Sequence, residues 1–144
     1  MWRDYFKKAK IYGFEYYDNL IQKAKKDNLK KVFIRKIDVK NEKNILTTFK
    51  KTNAKFDIII DDSTHLFDDQ IRIINTVHKF LKSGGYLIVE DIHKNKSAND
   101  EKNYFKKLRN VRKYFEDIFF VDTNHINKYS AKYKNDKLLV LIKK

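Results

Sequence analysis

Two short acidic segments contain the residues most suited to chemistry. Residues 61–65 read DDSTH, and residues 90–91 read ED. Each segment comes directly after an apolar run, 56–60 or 86–89, of the kind that forms a strand buried on both faces of a parallel sheet. Such strands have little reason to end in unpaired carboxylates unless a cation is held there. The two segments therefore predict a cation-binding site with a histidine beside it.

The residues between these segments predict how the two are positioned. Ile71, Ile74, Val77 and Leu81 recur at helical spacing, and glycines follow at 84 and 85, where a helix can close. The unit is then strand, helix, strand, with both acidic segments at the carboxyl ends of parallel strands, where ligands bind in open α/β sheets. A single acid at such a position is more often a helix cap or turn former, but the combined cluster favours a site.

The rest of the chain continues the alternation of strands and helices. Patterns before the central unit predict a short amphipathic helix over residues 1–8, strands at 11–16 and 32–34, and helices at 18–26 and 45–51. Patterns after it predict a polar mobile loop at 94–101, a helix with an aromatic face from Tyr104 to Phe115, and strands at 118–121 and 138–142. We therefore predict one α/β domain over residues 1–144, with a mostly parallel sheet and an antiparallel final pair.

Composition narrows the classes of function. The 144 residues include no cysteine, which excludes disulfides and thiolate metal sites, and no apolar run is long enough to cross a membrane. We therefore expect a cytoplasmic protein. The net charge of +14 favours contact with polyanions, but the lysines are spread along the whole chain. Non-specific affinity for nucleic acid is the expectation, and a non-catalytic binding module or remnant is the alternative function.

Several motifs together resemble the class I S-adenosylmethionine-dependent methyltransferases. The order of acid-terminated strands, the DDSTH segment, Gln70 on the next helix, LKSGG at 81–85 and the strand ending in ED are similar to the metal-dependent sugar O-methyltransferases of macrolide biosynthesis. The first fifteen residues, MWRDYFKKAKIYGFE, also resemble that family's helix and second strand. The resemblance implies a Rossmann-like fold and methyl transfer to a hydroxyl of a sugar or small metabolite.

The resemblance also implies roles for individual residues. Asp62, Glu90 and Asp91 match the carboxylates that hold Mg²⁺, and His65 matches the general base. Glu15, Asp38 and Asp61 match the acids that contact the ribose, the adenine and the methionine end of S-adenosylmethionine. Magnesium suits oxygen ligands and lowers the pKa of a bound hydroxyl, so this chemistry is consistent with the residue types.

The sequence departs from the family pattern at two places, and each departure leads to a structural expectation. Ser63 stands where the family has glycine, which is tolerable if the turn needs no positive φ. The family's first strand and glycine-rich turn have no counterpart, since the glycines are at 13, 84 and 85 only. Because that strand is central, the Tyr12 and Ile59 strands must pair directly, leave a gap, or recruit a strand from a homo-oligomer or a complementing chain. We expect reduced cofactor affinity and possible loss of activity.

Overall fold

The computed structural model describes residues 2–93, 97–122 and 137–144. Within them the chain forms helices and strands in alternation, closing with two consecutive strands. The helices are α1 (Trp2–Tyr5), α2 (Asp18–Lys26), α3 (Glu42–Lys50), α4 (Phe67–Val77) and α5 (Glu101–Leu108). The strands are β1 (Ile11–Glu15), β2 (Val32–Lys36), β3 (Phe56–Asp61), β4 (Leu81–Val89), β5 (Phe115–Asp122) and β6 (Lys137–Lys143).

The strands of the described residues form two sheets. One contains β1 and β2, which pair in parallel, and the other has the order β3-β4-β6-β5. Strands β3 and β4 are parallel, whereas β6 runs antiparallel to both β4 and β5. This confirms the predicted α/β fold, with one parallel pair in each sheet and an antiparallel strand, β6, between β4 and β5.

The two sheets lie side by side with the edges of β1 and β3 facing each other. The rings of Tyr12 on β1 and Phe56 on β3 are in edge contact, with centroids 5.4 Å apart. In addition, Arg72 Nη1, in the middle of α4, donates to the carbonyl of Val39 just after β2, at 3.1 Å. These contacts are those expected when β1 and β3 run in the same direction. No ladder joins them in the described residues, so the unpaired gap is the outcome observed.

One hydrophobic core lies beneath both sheets. Helices α3 and α4 pack together and bury Ile45 and Ile74 completely, against Leu87 of β4 and Leu139 and Leu141 of β6. The β1–β2 pair joins this core through Phe14, whose ring stacks on Phe49 of α3 at 4.6 Å. The core therefore fixes the positions of both sheets even though their strands do not pair.

Some sequence predictions differ from the structure. The β3 strand is not buried on both faces, because one of its edges is open and Ile58 is 44% exposed. Helix α4 ends at Val77, and after a 3-10 turn Leu81 already pairs with Phe56 as part of β4. Phe115 likewise begins β5 instead of ending a helix. A 3-10 turn between α5 and β5 preserves the helical spacing of the apolar residues up to Phe115. Periodicity alone therefore does not show where the helix ends and the strand begins.

Other predictions concern segments that the structure describes only in part. Residues 97–99 of the expected loop form a 3-10 turn, held by Asn103 Nδ2, which donates to the carbonyl of Ser97 at 3.1 Å. Most of the connection between the last two predicted strands, residues 123–136, lies outside the described residues. Across the described ranges no helix has the length and apolar character needed to cross a membrane.

Candidate active site

The two acidic segments meet at the carboxyl ends of β3 and β4. Asp61 is the partner of Val89 in the parallel ladder, and the amide of Glu90 donates to the carbonyl of Asp61 at 2.9 Å. The residues that follow each strand therefore emerge next to one another. The predicted meeting of these strand ends, on which the site hypothesis depended, is what the structure shows.

Three side chains form a compact group at this edge. One ligand atom each from Asp62, His65 and Asp91 lies within 4.8 Å of the others, and His65 Nε2 is 3.9 Å from Asp62 Oδ1. His65 and Asp91 have left-handed backbone with φ of 55° and 53°, a conformation that costs a non-glycine residue about 1 kcal/mol or more. Ser63 does not have positive φ, so the expectation for the missing glycine is satisfied.

Glu90 lies beside this group without being part of it. Its pKa is raised, mainly because partial burial disfavours the carboxylate, and further because Asp62 and Asp91 carry the same charge. The family resemblance implies that Glu90 is a metal ligand and that His65 is the general base; in the structure the compact group contains His65, and Glu90 lies outside it. A cation at this position would relieve the repulsion among the carboxylates.

Asp61 is the most deeply placed of the predicted site residues. It is only 6% exposed, and Ser63 Oγ donates to its Oδ1 at 2.7 Å. Its Oδ2 is buried and has no hydrogen-bond partner among the described residues. Burial raises the pKa of this carboxyl, and the hydrogen bonds from Ser63 only partly offset that effect. An unpartnered buried carboxylate oxygen is costly unless a ligand donates to it.

The remaining two predicted residues lie on the β1–β2 side of the gap. Glu15 ends β1, and its Oε1 accepts from the amides of Tyr16 and Tyr17 at 2.7 and 2.9 Å. Asp38 follows β2, and its Oδ1 accepts from the amide of Lys40 at 2.9 Å. Because β1 and β3 run in the same direction, both acids lie at the same edge as Asp61, across the gap from it.

A buried hydrogen-bond chain supports the end of β4. Tyr104 Oη of α5 donates to Gln70 Oε1 of α4 at 2.6 Å, and Gln70 Nε2 donates to the carbonyl of Glu90 at 3.3 Å. Tyr104 is fully buried, and burial raises the pKa of its hydroxyl, so the group stays protonated. The aromatic face predicted Tyr104 to pack in the core, but its hydrogen bond to Gln70 has no sequence signal because the partners are far apart.

The other histidines differ in their relation to the site. The ring of His93 is buried, with its centroid 6.1 Å from that of His65. His78 is far from the acids in sequence and stacks on Tyr114 at 5.0 Å. Burial lowers the pKa of His78 to about 4, so the ring is neutral at neutral pH.

A cleft of about 460 Å³ opens beside His65. Leu66, Phe67 and Ala98 supply apolar surface, and the charged side chains are Lys40, Asp68, Asp69 and Arg72, with Asn99 also on the wall. Asp69 accepts from Thr64 Oγ1 and from Arg72, so this buried carboxylate is neutralised internally. The positive charges of Lys40 and Arg72 equal in number the negative charges of Asp68 and Asp69. The cleft is therefore polar but has no excess of either charge.

Comparison with known proteins decides the family. The family described as "Methyltransferase domain" matches residues 3–139, nearly the whole chain. The chain belongs to this family. It is thus an S-adenosylmethionine-dependent methyltransferase domain of class I, with the resemblance to macrolide sugar O-methyltransferases that the motifs predicted. The site at the carboxyl ends of β3 and β4 is accordingly the candidate active site of this methyltransferase domain.

Individual relatives agree with this assignment. A tetracenomycin-C rhamnosyl 3'-O-methyltransferase from Streptomyces olivaceus is 27% identical over 93 residues, covering 64% of this chain and 22% of the relative. In structure, the methyltransferase domain is similar to the mycinamycin-pathway methyltransferase MycE, solved with Mg, SAH and mycinamycin VI. The TM-score is 0.69 at 16% identity, over 99% of this chain and 38% of MycE.

The fold is shared more widely. The fibrillarin pre-rRNA processing protein of Methanococcus jannaschii has a TM-score of 0.58 at 20% identity, covering 95% of this chain and 57% of fibrillarin. At such identities, the likeness establishes the fold of the methyltransferase domain. The chain spans about a fifth of the Streptomyces relative and little more than a third of MycE.

Proposed function

We propose that this methyltransferase domain transfers a methyl group from S-adenosylmethionine to a hydroxyl of a sugar or small metabolite, with assistance from Mg²⁺. The observation that supports this most directly is the group formed by Asp62, His65 and Asp91, within 4.8 Å, at the ends of two parallel strands. The proposal assigns cation binding to the carboxylates and proton transfer to the imidazole.

The donor set fits a hard divalent cation. Asp62 and Asp91 are the proposed ligands, and Glu90, whose pKa is raised by burial and by those two neighbours, is the third carboxylate within their field. Magnesium usually binds through one or two carboxylates and retains water or substrate oxygens, so a site of this size is sufficient. When bound, the ion lowers the pKa of the acceptor hydroxyl.

The proposed cofactor site lies along the same sheet edge. Glu15 is the proposed acceptor for the ribose hydroxyls, since one of its carboxylate oxygens is already fixed by two backbone amides. Asp38 is proposed to lie near the adenine. The buried Oδ2 of Asp61, which has no partner among the described residues, is suited to a donor from the methionine end. S-adenosylmethionine supplies the electrophilic methyl group when bound.

His65 is the proposed general base. A neutral imidazole would take the proton of the acceptor hydroxyl at Nε2. The oxygen would then accept the methyl group that S-adenosylmethionine supplies when bound, with the thioether S-adenosylhomocysteine as the leaving group. The resulting imidazolium lies 3.9 Å from Asp62, whose negative charge stabilises it. The backbone of His65 is left-handed, with φ of 55°, and its ring belongs to the compact group with Asp62 and Asp91.

The cleft beside His65 is the proposed acceptor site. Its volume of about 460 Å³ is in the range of small-molecule sites. Its balanced charges and its apolar surface at Leu66 and Phe67 suit the hydroxyls and the hydrocarbon face of a sugar better than a polyanion. The fold shared with an rRNA-processing protein therefore does not by itself favour a nucleic-acid acceptor.

The metal assignment is tested by thermal unfolding with and without MgCl₂. We expect Mg²⁺ to raise the melting temperature of the wild type and to have no effect on Asp62→Asn. Glu116→Gln is the matched control, because Glu116 is an exposed acid at the start of β5, at the opposite edge of the sheet. An equal Mg²⁺ response in Asp62→Asn and wild type would contradict the site.

The activity is tested by mass-spectrometric detection of methylated glycosides after incubation with S-adenosylmethionine and Mg²⁺. We expect His65→Ala to lower the rate by about 100-fold or more while the Mg²⁺-dependent thermal shift remains. Equal rates for His65→Ala and wild type would exclude the proposed base.

A further inference from the structure

The compact group of Asp62, His65 and Asp91 offers an imidazole nitrogen as well as carboxylate oxygens. These donors suit different metals. Mg²⁺ takes oxygen ligands, so the ligands proposed for it are the carboxylates, with Glu90 beside them. Zn²⁺ and the later transition metals accept imidazole readily, and for them the group supplies a third ligand in His65. One position in the fold therefore contains two overlapping ligand sets, which share Asp62 and Asp91.

The spacing of the group fits a small ion. A Zn²⁺ ion at about 2.0–2.2 Å from nitrogen and oxygen ligands holds those atoms about 3–4 Å apart. His65 Nε2 lies 3.9 Å from Asp62 Oδ1, and the three ligand atoms lie within 4.8 Å of one another. Closure of the group on an ion therefore requires small side-chain movements and no rearrangement of β3 and β4.

The imidazole of His65 is oriented for this role. Its Nδ1 is buried, and its Nε2 is the nitrogen beside Asp62. The side chains of His65 and Asp62 are 28% and 62% exposed, so an ion can enter from solvent and retain water at its remaining position. The bond from the Glu90 amide to the Asp61 carbonyl holds the two acidic segments side by side. The mixed nitrogen and oxygen site is thus largely formed before a metal binds.

We propose that Zn²⁺ binds to Asp62, His65 and Asp91, with Nε2 of His65 as a ligand, and thereby inhibits methyl transfer. The inhibition rests on the proposed function, since it requires that His65 is the general base. Neutral imidazole has one lone pair at Nε2, and the pair that would take the proton of the acceptor hydroxyl is the pair that binds the metal. Zn²⁺ would also occupy the carboxylates proposed for Mg²⁺. It therefore removes the base and excludes the assisting ion together.

The two metals depend differently on His65. Replacement of His65 takes one of three ligands from Zn²⁺, whereas Mg²⁺ keeps the oxygens of Asp62 and Asp91. Because the imidazole adds affinity for Zn²⁺ only, Zn²⁺ should displace Mg²⁺ when the two are present at equal concentration. His65 is thus the residue that distinguishes two ions competing for one position.

The proposal is tested by titrating the chain with ZnCl₂ and, separately, with MgCl₂. Affinity is measured by calorimetry, and the ligand is identified from the nuclear magnetic resonance signals of the histidine ring nitrogens. We expect Zn²⁺ to shift the Nε2 signal of His65 and to bind at least about tenfold more tightly than Mg²⁺. In methyl-transfer assays at constant Mg²⁺, the rate should fall in proportion to the fraction of His65 that has bound Zn²⁺.

Two variants show whether the imidazole is the ligand. His65→Ala should weaken Zn²⁺ binding by about tenfold or more and change the affinity for Mg²⁺ by less than about threefold. His78→Phe is the matched control, because His78 lies outside the compact group and a phenyl ring can keep its stacking contact with Tyr114. This control should bind Zn²⁺ as tightly as the wild type does.

The possible results separate this inference from the Mg²⁺ proposal. Equal Zn²⁺ affinity in His65→Ala and wild type, or a His65 signal that Zn²⁺ leaves unchanged, would overturn the inference without affecting the Mg²⁺ site. Full methyl transfer with Zn²⁺ bound at His65 would overturn the inhibition and show that His65 is not the base. A chain that binds Zn²⁺ through His65 but does not respond to Mg²⁺ would support the nitrogen-containing site and contradict Mg²⁺ assistance.

Discussion

Asp61 illustrates how a single residue can be unfavourable for folding and useful for binding. Its carboxyl is 6% exposed, burial raises its pKa, and one of its oxygens has no partner among the described residues. A charge in such a position costs stability until a donor or cation reaches it. The side chain of the adjacent Asp62 is 62% exposed and has no such cost, which suits the metal-binding role proposed for it.

Replacing Asp61 by asparagine should therefore separate stability from affinity. We expect Asp61→Asn to increase the free energy of unfolding of the ligand-free chain by about 1 kcal/mol at neutral pH, because no charge is buried. We expect the same variant to bind S-adenosylmethionine about tenfold more weakly, measured by calorimetric titration. Ser63→Ala removes the hydrogen bond but keeps the charge, and is the control. A less stable Asp61→Asn would show that the carboxylate is already satisfied.

Most individual site residues could be predicted because their placement depends on local order. Asp62, Glu90 and Asp91 come directly after strands that a helix connects, and parallel pairing then brings them together. His65 was expected as a neighbour of the metal, whereas it lies within the compact group. That detail depends on the left-handed backbone at His65 and Asp91, and non-glycine side chains do not signal such a conformation.

At the scale of elements, α4 and α5 hold the end of β4 through polar atoms. Gln70 of α4 accepts a hydrogen bond from Tyr104 of α5 and donates one to the carbonyl of Glu90, just after β4. One side-chain amide thus connects α4, α5 and the end of β4. Because the chain of bonds is buried, loss of one member leaves another without a partner. The position of Glu90 and Asp91 thus depends on a tyrosine remote in sequence.

Tyr104→Phe tests this arrangement. We expect the free energy of unfolding to fall by about 1–2 kcal/mol in urea denaturation, because Gln70 Oε1 loses its donor in a buried position. Tyr114→Phe is the matched control, since Tyr114 is 41% exposed and its ring contact with His78 does not need the hydroxyl. Equal losses in the two variants would mean that the Tyr104 hydroxyl contributes nothing specific.

Element boundaries were less predictable than the elements themselves. Tyr104, Leu108, Val111 and Phe115 all face the same core, so their spacing continues a helical pattern across a 3-10 turn into β5. The open edge of β3 could not be predicted either, because the apolar run 56–60 is the same whether or not another strand pairs with it on that side. In both cases the structure depends on contacts between residues far apart in sequence, and a local sequence pattern does not contain that information.

At the scale of the whole molecule, the net charge and the charge of the candidate site favour different kinds of ligand. The net charge of +14 favours polyanions, whereas the cleft beside His65 is balanced and the acids at the strand ends are negative. A dispersed positive surface binds nucleic acid by releasing counterions, without reading its sequence. The alternative of a nucleic-acid-binding module that reads sequence therefore requires specific contacts in addition to this charge.

Salt dependence distinguishes these possibilities. We expect affinity for a random-sequence RNA to fall by at least about tenfold between roughly 50 and 200 mM salt, as measured by fluorescence anisotropy. We also expect no preference among RNA sequences of equal length. Retention of tight, sequence-dependent binding at the higher salt concentration would favour an RNA acceptor over a small one.

The open edges of β1 and β3 also affect how copies of this chain behave in concentrated solution. Exposed strand edges promote stacking of one molecule on another and the growth of insoluble β-rich material. The surplus of lysine and arginine opposes this, since like-charged molecules repel at distances beyond contact. The basic composition therefore favours the colloidal stability of a molecule in which the facing edges of β1 and β3 are unpaired.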